Sequence, residues 1–188
     1  MRLSRILTAV VAVGALTAGT AAAVSAAGGN RSHAGCKFSG VGVAGVDQQT
    51  ALAKHRAMAQ RWRSRGVDQP LTRSCVIAIA ETYVQDLLVD ERPDDALLND
   101  DVVRWTQQNH GDTPRDTSAE EIREATRQGA EATVDDIVNR RWVVDGNEAI
   151  LIGDILVTGR TEPVTLYERF LIRYGQIAEI EAVFLAPS

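Results

Sequence analysis

The 188-residue chain holds only two cysteines, two methionines, five prolines and 5% aromatic residues, and Lys37 and Lys54 are its only lysines beside 18 arginines. Two cysteines exclude a disulfide-dense scaffold and a cysteine-rich zinc module. A content of 45% hydrophobic against 24% charged residues excludes disorder along the whole length. There is no Gly-rich phosphate loop, no G-x-S-x-G elbow and no His/Cys/Asp cluster at metal-ligand spacing. Serine-type hydrolases, nucleotide enzymes and zinc enzymes are therefore disfavoured, and neither a metal nor another cofactor is expected.

Long apolar runs are also missing after residue 27. Before it, Arg2 and Arg5 precede the run from Ile6 to Val24, and the small residues Val24, Ser25, Ala26 and Ala27 follow. This order describes a secretory signal peptide over residues 1–26, cleaved near Ala26 with Ala23 as second choice. The alternative is retention as a membrane anchor; against it stands a run built from Ala, Gly and Thr rather than Leu and Ile. Removal of 1–26 leaves 18 cations against 25 acids, a net charge of −7. Such a balance does not indicate a nucleic-acid or anionic-lipid surface. The expected location is secreted or extracytoplasmic, and there Cys36 and Cys75 suit a disulfide stabilising by about 3–4 kcal/mol. A lipid-modified Cys36 is the other reading, and His33 stands where such sites want an aliphatic residue.

Residues 27–46 are rich in Gly, Ser and Ala and read as a flexible linker. Asp47 to Arg65 reads as a helix with Leu52, Met58 and Trp62 on one side, and forms an N-terminal extension over 47–69. Its Lys54, Arg56, Arg61, Arg63 and Arg65 read as a solvated face beside an acidic domain. The main domain spans 70–188. Ser74 is its first candidate N-cap, for a helix through Cys75, Ile79, Thr82, Tyr83, Leu87 and Leu88. Pro93 opens a short turn, and Val102 to Gln107 reads as a strand. Asn109 to Asp116 is a polar loop carrying His110, read as solvent-exposed. Ser118 and Glu121 form a capping box for a helix that Gly129 ends. Strands follow at 137–144, 149–158, 164–173 and 177–185, the first two joined by the hairpin signal Asp145-Gly146-Asn147. Helices followed by a four-strand antiparallel meander make an α+β domain, with helices on one face of a sheet.

The stretch Tyr167–Phe184, YERFLIRYGQIAEIEAVF, resembles the last hairpin of SnoaL-like proteins of the nuclear-transport-factor-two-like superfamily, "ERF-x-[IV]-R-x-G-x-I-x-x-IEAVF". Arg104 to Asn109 is similar to the "R-x-T-x-N" strand of that group, and the Cys75–Asp90 helix and Arg141–Gly146 strand sit where the family places them. The resemblance covers about residues 72–186. It implies a curved antiparallel sheet wrapped around N-terminal helices as a cystatin-like cone, here preceded by an extra helix. It further implies an apolar pocket, lined by Trp105, Phe170, Ile172, Ile180 and Phe184. Members include isomerases, epoxide hydrolases, cyclases and non-catalytic binders, so fold alone does not give function.

Alternation places Leu166, Glu168, Phe170 and Ile172 on one face, inward, and Tyr167, Arg169, Leu171 and Arg173 on the other. A carboxyl in line with Phe170 and Ile172 is desolvated, which raises its pKa. Ketosteroid isomerase, a member of this superfamily, pairs a protonated Asp with a Tyr as oxyanion donors; the resemblance lays Glu168 on that Asp and Tyr83 near that Tyr. That enzyme's general base falls near Thr106, where no carboxylate stands. Asp154 lies in the apolar run Ile150–Leu156 and is either a second inward acid or the mark of a bulge at Gly153. The family's Asp–Arg–Asp hydrolase set is not found in register. Two functions follow: a binder of a small apolar ligand or partner without catalysis, or a small cyclase, dehydratase or hydrolase using Glu168, Tyr83 and Asp154. The convex sheet face, carrying Arg169, Arg173, Glu179, Glu181 and Val183, is the expected homodimer surface, through ion pairs between subunits.

Overall fold

Asp47 starts the first helix, α1 (Gln48–Ser64), by accepting a 3.0 Å hydrogen bond from the backbone N–H of Thr50. The computed structural model describes residues 36–106, 115–128 and 134–185. The signal segment 1–26, His110 and the Gly129 helix stop lie outside them. In α1 the buried side is Ala51, Leu52, His55 and Ala59. Its basic residues divide: Arg56 donates to the Asp94 carbonyl and Arg63 to Asn99, with Asp100 and Asp101 at 3.5 and 3.4 Å. This part of the basic face packs on an acidic segment.

The expectation of a flexible linker over 27–46 fails from Cys36 onward. Cys36, Ser39 and Val41 are buried, and Cys36 is disulfide-bonded to Cys75. Val41, Ala51 and Leu52 share one core with the later helices and strands. A Gly- and Ser-rich composition does not prevent packing when a cross-link holds the segment in place. At the far end of the extension His55 contacts Ser39 Oγ at 2.9 Å and the Gly175 carbonyl at 2.6 Å, and stacks on Phe38. Gly175 has φ +76°, and a Cβ there would stand 2.9 Å from Trp62, so the turn accepts no side chain.

The second helix, α2 (Arg73–Glu81), is capped by Thr72 rather than Ser74: Thr72 Oγ1 accepts from the Cys75 N–H at 3.3 Å. Cys75 to Ala80 are buried without a break, so this helix is the centre of the core. It continues as a π-helix over Thr82–Val89. Thr82 Oγ1 donates to the Ile79 carbonyl at 2.7 Å and accepts from the Leu97 N–H at 3.0 Å, tying that wide turn to the next segment.

After a short 3₁₀ turn at Pro93–Asp95 come β1 (Leu98–Thr106), α3 (Ala119–Arg127), β2 (Val134–Asp145), β3 (Glu148–Val157), β4 (Val164–Arg173) and β5 (Gln176–Leu185). Ser118 caps α3 by accepting from the Glu121 N–H at 3.2 Å; the Glu121 carboxylate reaches the Thr117 N–H, one residue before the cap. The strand order is β1-β5-β4-β3-β2. The β2–β5 meander is antiparallel as expected, and β1 joins the β5 edge in parallel, making the sheet mixed.

Bulges bend this sheet around α2. The extra residue on β2 is at Asn139 (φ +55°), where the register shifts between Val138 and Arg141. Gly153 lies across from it, and a Cβ there would stand 3.1 Å from Ile137 and 3.2 Å from the Val138 carbonyl. The bulge foreseen near Gly153 thus belongs to the neighbouring strand, with glycine allowing the close approach.

Candidate functional site

Two rows of residues cross the inner face of the sheet. Thr106, Ala182, Glu168 and Leu151 are successive partners across β1, β5, β4 and β3; Arg104, Ile180, Phe170 and Ala149 form the adjacent row. All eight are buried. Glu168 is 2% exposed and Arg104 3% exposed, so a carboxyl and a guanidinium both lie among apolar side chains. Few charged groups are buried so deeply without partners, because desolvation costs several kcal/mol per ion, on the order of a domain's whole margin of stability.

Arg104 shows how the cost is met. Its Nε donates to Asp116 Oδ2 at 2.6 Å and its Nη1 to the Tyr83 hydroxyl at 3.1 Å. The backbone places the acid: the Arg104 N–H donates to the Asp116 carbonyl at 2.9 Å, and the Arg115 N–H to the Arg104 carbonyl at 2.8 Å. Since Tyr83 accepts from Arg104, its own proton is directed to another acceptor. Its ring meets Phe170 edge-on at 5.7 Å between centroids. The result is a tyrosine, an arginine, an aspartate and a glutamate set in the inner face of the cone.

The sequence-based site residues separate into two sets. Glu168, Tyr83, Phe170, Ile172 and Ile180 are inward and buried. Phe184 shares that face, opposite Leu166, and stays 39% exposed at the end of β5. Trp105 is a correction: Arg104 and Thr106 are the buried residues of its strand, and Trp105 lies between them on the outer face, in the row of Glu181. Asp154 is a second. It alternates with the buried Gly153 and Ile155 and accepts from Asn139 at 2.8 Å and Thr165 at 3.2 Å on the outer side. Asp154 and Glu168 are therefore on opposite faces and cannot share a water. Phe170, Ile172 and Ile180, expected to line an apolar pocket, belong to the buried core. A groove of about 380 Å³ lies between the N-terminal extension and the α2–π-helix.

Sequence reasoning missed Arg104, Asp116, Arg140 and Trp142. Arg140 donates to Glu81 at 2.8 Å and Gln85 at 2.9 Å, and Trp142 Nε1 donates to Glu81 at 3.1 Å. Arg140 and Trp142 lie in β2, whose stretch Asn139–Trp142 has no apolar–polar alternation to mark its inner side. On the outer face Arg169 is satisfied within its own chain, by Glu148 at 3.0 Å and Glu179 at 2.6 Å, and these bonds raise its pKa. Arg169, one of the residues expected to pair between subunits, is thus paired inside one molecule. Around these bonds Val143 (54% exposed), Tyr167 (40% exposed), Ile150 and Leu156 form an apolar surface.

A family model described as "Domain of unknown function (DUF8021)" matches residues 69–184. No curated protein matches the chain. Among solved structures, an NTF-2 like protein of unknown function from Burkholderia xenovorans is 18% identical over 60% of this chain and 84% of its own, with a TM-score of 0.50. An NTF2-like protein of unknown function from Cytophaga hutchinsonii is 16% identical over 58% of this chain and 88% of its own, TM-score 0.47. An LEH-like epoxide hydrolase from M. tuberculosis is 18% identical over 58% and 81%, TM-score 0.45. At such identities the likeness shows the fold alone, an NTF2-like α+β cone.

Proposed function

The chain belongs to the DUF8021 family, and from that premise we propose that it is an extracytoplasmic, non-catalytic binding domain. Its ligand is a small, mostly apolar molecule held at the polar end of the cone by Tyr83, Arg104 and Glu168. One observation carries this reading: a buried guanidinium, bridged to Tyr83 and Asp116, sits on the row next to Glu168. Buried donors fixed in this way suit a ligand oxygen, since their geometry is set before binding.

Catalysis is disfavoured because an acid–base mechanism needs two groups with separate tasks. Thr106 holds the inward position of the missing base, Asp154 faces outward, and Asp116 is held by Arg104. The Cys36–Cys75 disulfide supports an oxidising compartment. Among the described residues no helix is long and apolar enough to cross a membrane.

Native mass spectrometry of the oxidised protein tests the binding role. The expected result is a co-purified small molecule whose occupancy falls in Tyr83→Phe; unchanged occupancy in that variant ends the assignment of this site. The enzymatic alternative, a cyclase, dehydratase or hydrolase, has the burial of Glu168 in its favour. It requires the carboxyl NMR signal removed by Glu168→Gln to titrate well above the ordinary glutamate value of about 4.3.

We also propose self-association through the outer face of the sheet, supported by its exposed Val143, Ile150 and Tyr167. Sedimentation equilibrium reads it directly, and a monomer at all accessible concentrations removes it.

A further inference from the structure

Three segments far apart in the chain meet at one imidazole. His55 of α1 is fully buried, with Nδ1 at 2.9 Å from Ser39 Oγ in the 36–41 loop and Nε2 at 2.6 Å from the Gly175 carbonyl in the β4–β5 turn. Phe38 stacks on the ring at 5.8 Å between centroids, and Trp62 meets Phe38 edge-on at 5.5 Å. The loop is closed on itself: the Cys36 carbonyl accepts from the Ser39 and Gly40 N–H groups, and the Cys36 N–H donates to the Val41 carbonyl. Its other attachment is the disulfide to Cys75 on α2.

The partners define the state of the ring. A carbonyl only accepts, so Nε2 carries the proton and donates it to Gly175, and Nδ1 of the neutral ring accepts from the Ser39 hydroxyl. A second proton makes Nδ1 a donor to Ser39 Oγ, whose own proton then turns to the Cys36 carbonyl at 3.3 Å. Hydrogen bonding is satisfied in both forms and does not choose between them.

Charge does choose. Burial opposes the imidazolium most, the Gly175 carbonyl favours it, and Arg56, a like charge on α1, opposes it; among the described residues no carboxylate acts on the ring. The other charged groups on the packed elements are exposed: Lys37 in the loop, Arg173 at the turn, and Asp68, which accepts from the Tyr174 N–H at 2.8 Å. Tyr174, half-buried, is the remaining titratable group of the turn. A cation buried without an anionic partner is relieved by reaching water.

We propose that His55 is an acid-sensitive latch, whose protonation frees α1 from the β4–β5 turn while the disulfide keeps the 36–41 loop on α2. Gln48, Gln49 and Leu52 of α1 line the groove beside the π-helix, so release takes away one wall of that groove. The latch is separate from the ligand site proposed in the inner rows of the sheet, and either can fail without the other. Opening lets the ring take up a proton at its ordinary value of 6.5, which the closed joint denies it. The opening constant is therefore level above that value and grows by up to about tenfold per pH unit below it, until the closed-state value is reached.

Native-state hydrogen exchange on the oxidised protein, read by NMR at about pH 7 and about pH 5, tests the latch. The amides of residues 52–59 in α1 open with a larger constant than those of residues 76–80 in α2. In wild type that constant rises about tenfold between the two conditions, and in His55→Gln by less than about threefold. One common opening constant for both helices overturns the proposal, as does a rise in His55→Gln equal to that of wild type. Should this variant fail to fold, the His55 ring signals, assigned through the Phe38 contact, decide. A ring that titrates in the folded protein at 6.5 or above overturns the latch, and one that stays neutral to lower pH supports it.

Discussion

Along β4, Glu168 points into the core while its neighbours Tyr167 and Arg169 point away, and along β1 the buried Arg104 stands beside the outward Trp105. The inner face of the sheet therefore buries a guanidinium and a carboxyl, and the outer face leaves Val143, Ile150 and Tyr167 in contact with solvent. Ordinary partition of side chains runs the other way. Charge inside is costly and apolar surface outside is unused by the fold, so neither is explained by stability. The two faces suit the separate tasks proposed for them, ligand contact within and partner contact without.

Breaking the inner face gives the largest effect. Arg104→Ala takes from Asp116 its buried partner and from the Tyr83 hydroxyl its donor; we expect a loss of about 3–5 kcal/mol in urea unfolding. A loss below about 1 kcal/mol shows the pair to be solvated in solution. Tyr83→Phe removes one hydrogen bond and keeps the ring on Phe170, so about 1 kcal/mol is expected, with the fold intact by circular dichroism.

A third buried ionisable group sharpens the contrast. His55 is neutral at the joint between the extension and the β4–β5 turn, its pKa lowered from 6.5 chiefly by burial, against the Gly175 carbonyl, which acts to raise it. The folded state holds its proton less tightly than the unfolded state. Its contribution to stability is therefore complete above the unfolded value of 6.5 and is lost as pH falls toward the folded one. Stability should rise between these values in wild type, with a shallower slope in His55→Asn. Equal slopes place the acid sensitivity on the carboxylates instead. The outer face gives the smallest change in folding: Ile150→Lys or Tyr167→Ser should alter stability by no more than about 0.5 kcal/mol. The same changes should shift sedimentation toward monomer, and an unaltered association constant would remove this face as the contact.

Legibility in the sequence followed the sharpness of alternation. In β4 the residues alternating with Glu168, Phe170 and Ile172 are Tyr167, Arg169, Leu171 and Arg173, of which only Leu171 is aliphatic, so parity favoured one reading, and it holds. In β3 both parities are apolar, Ile150 and Ile152 against Leu151 and Ile155, and pairing with β4 alone decides that Asp154 turns outward. Trp105 misled for a related reason. The resemblance placed Trp105 in the pocket lining, yet Arg104 takes the inner side because Asp116, 12 positions on, is brought to it.

The sequence by itself determined the order of the main elements, the cap at Ser118 and the inward face of β4, and made a disulfide the leading reading of its two cysteines. Those features depend on neighbours a few residues away or, for the cysteines, on there being only two of them. Only the tertiary structure decided that Arg104 is inside and Trp105 outside, that Cys36, Val41, Ala51 and Leu52 share the domain core, and that a groove opens beside the π-helix. Each of these rests on desolvation and pairing between distant segments, and no local pattern encodes those.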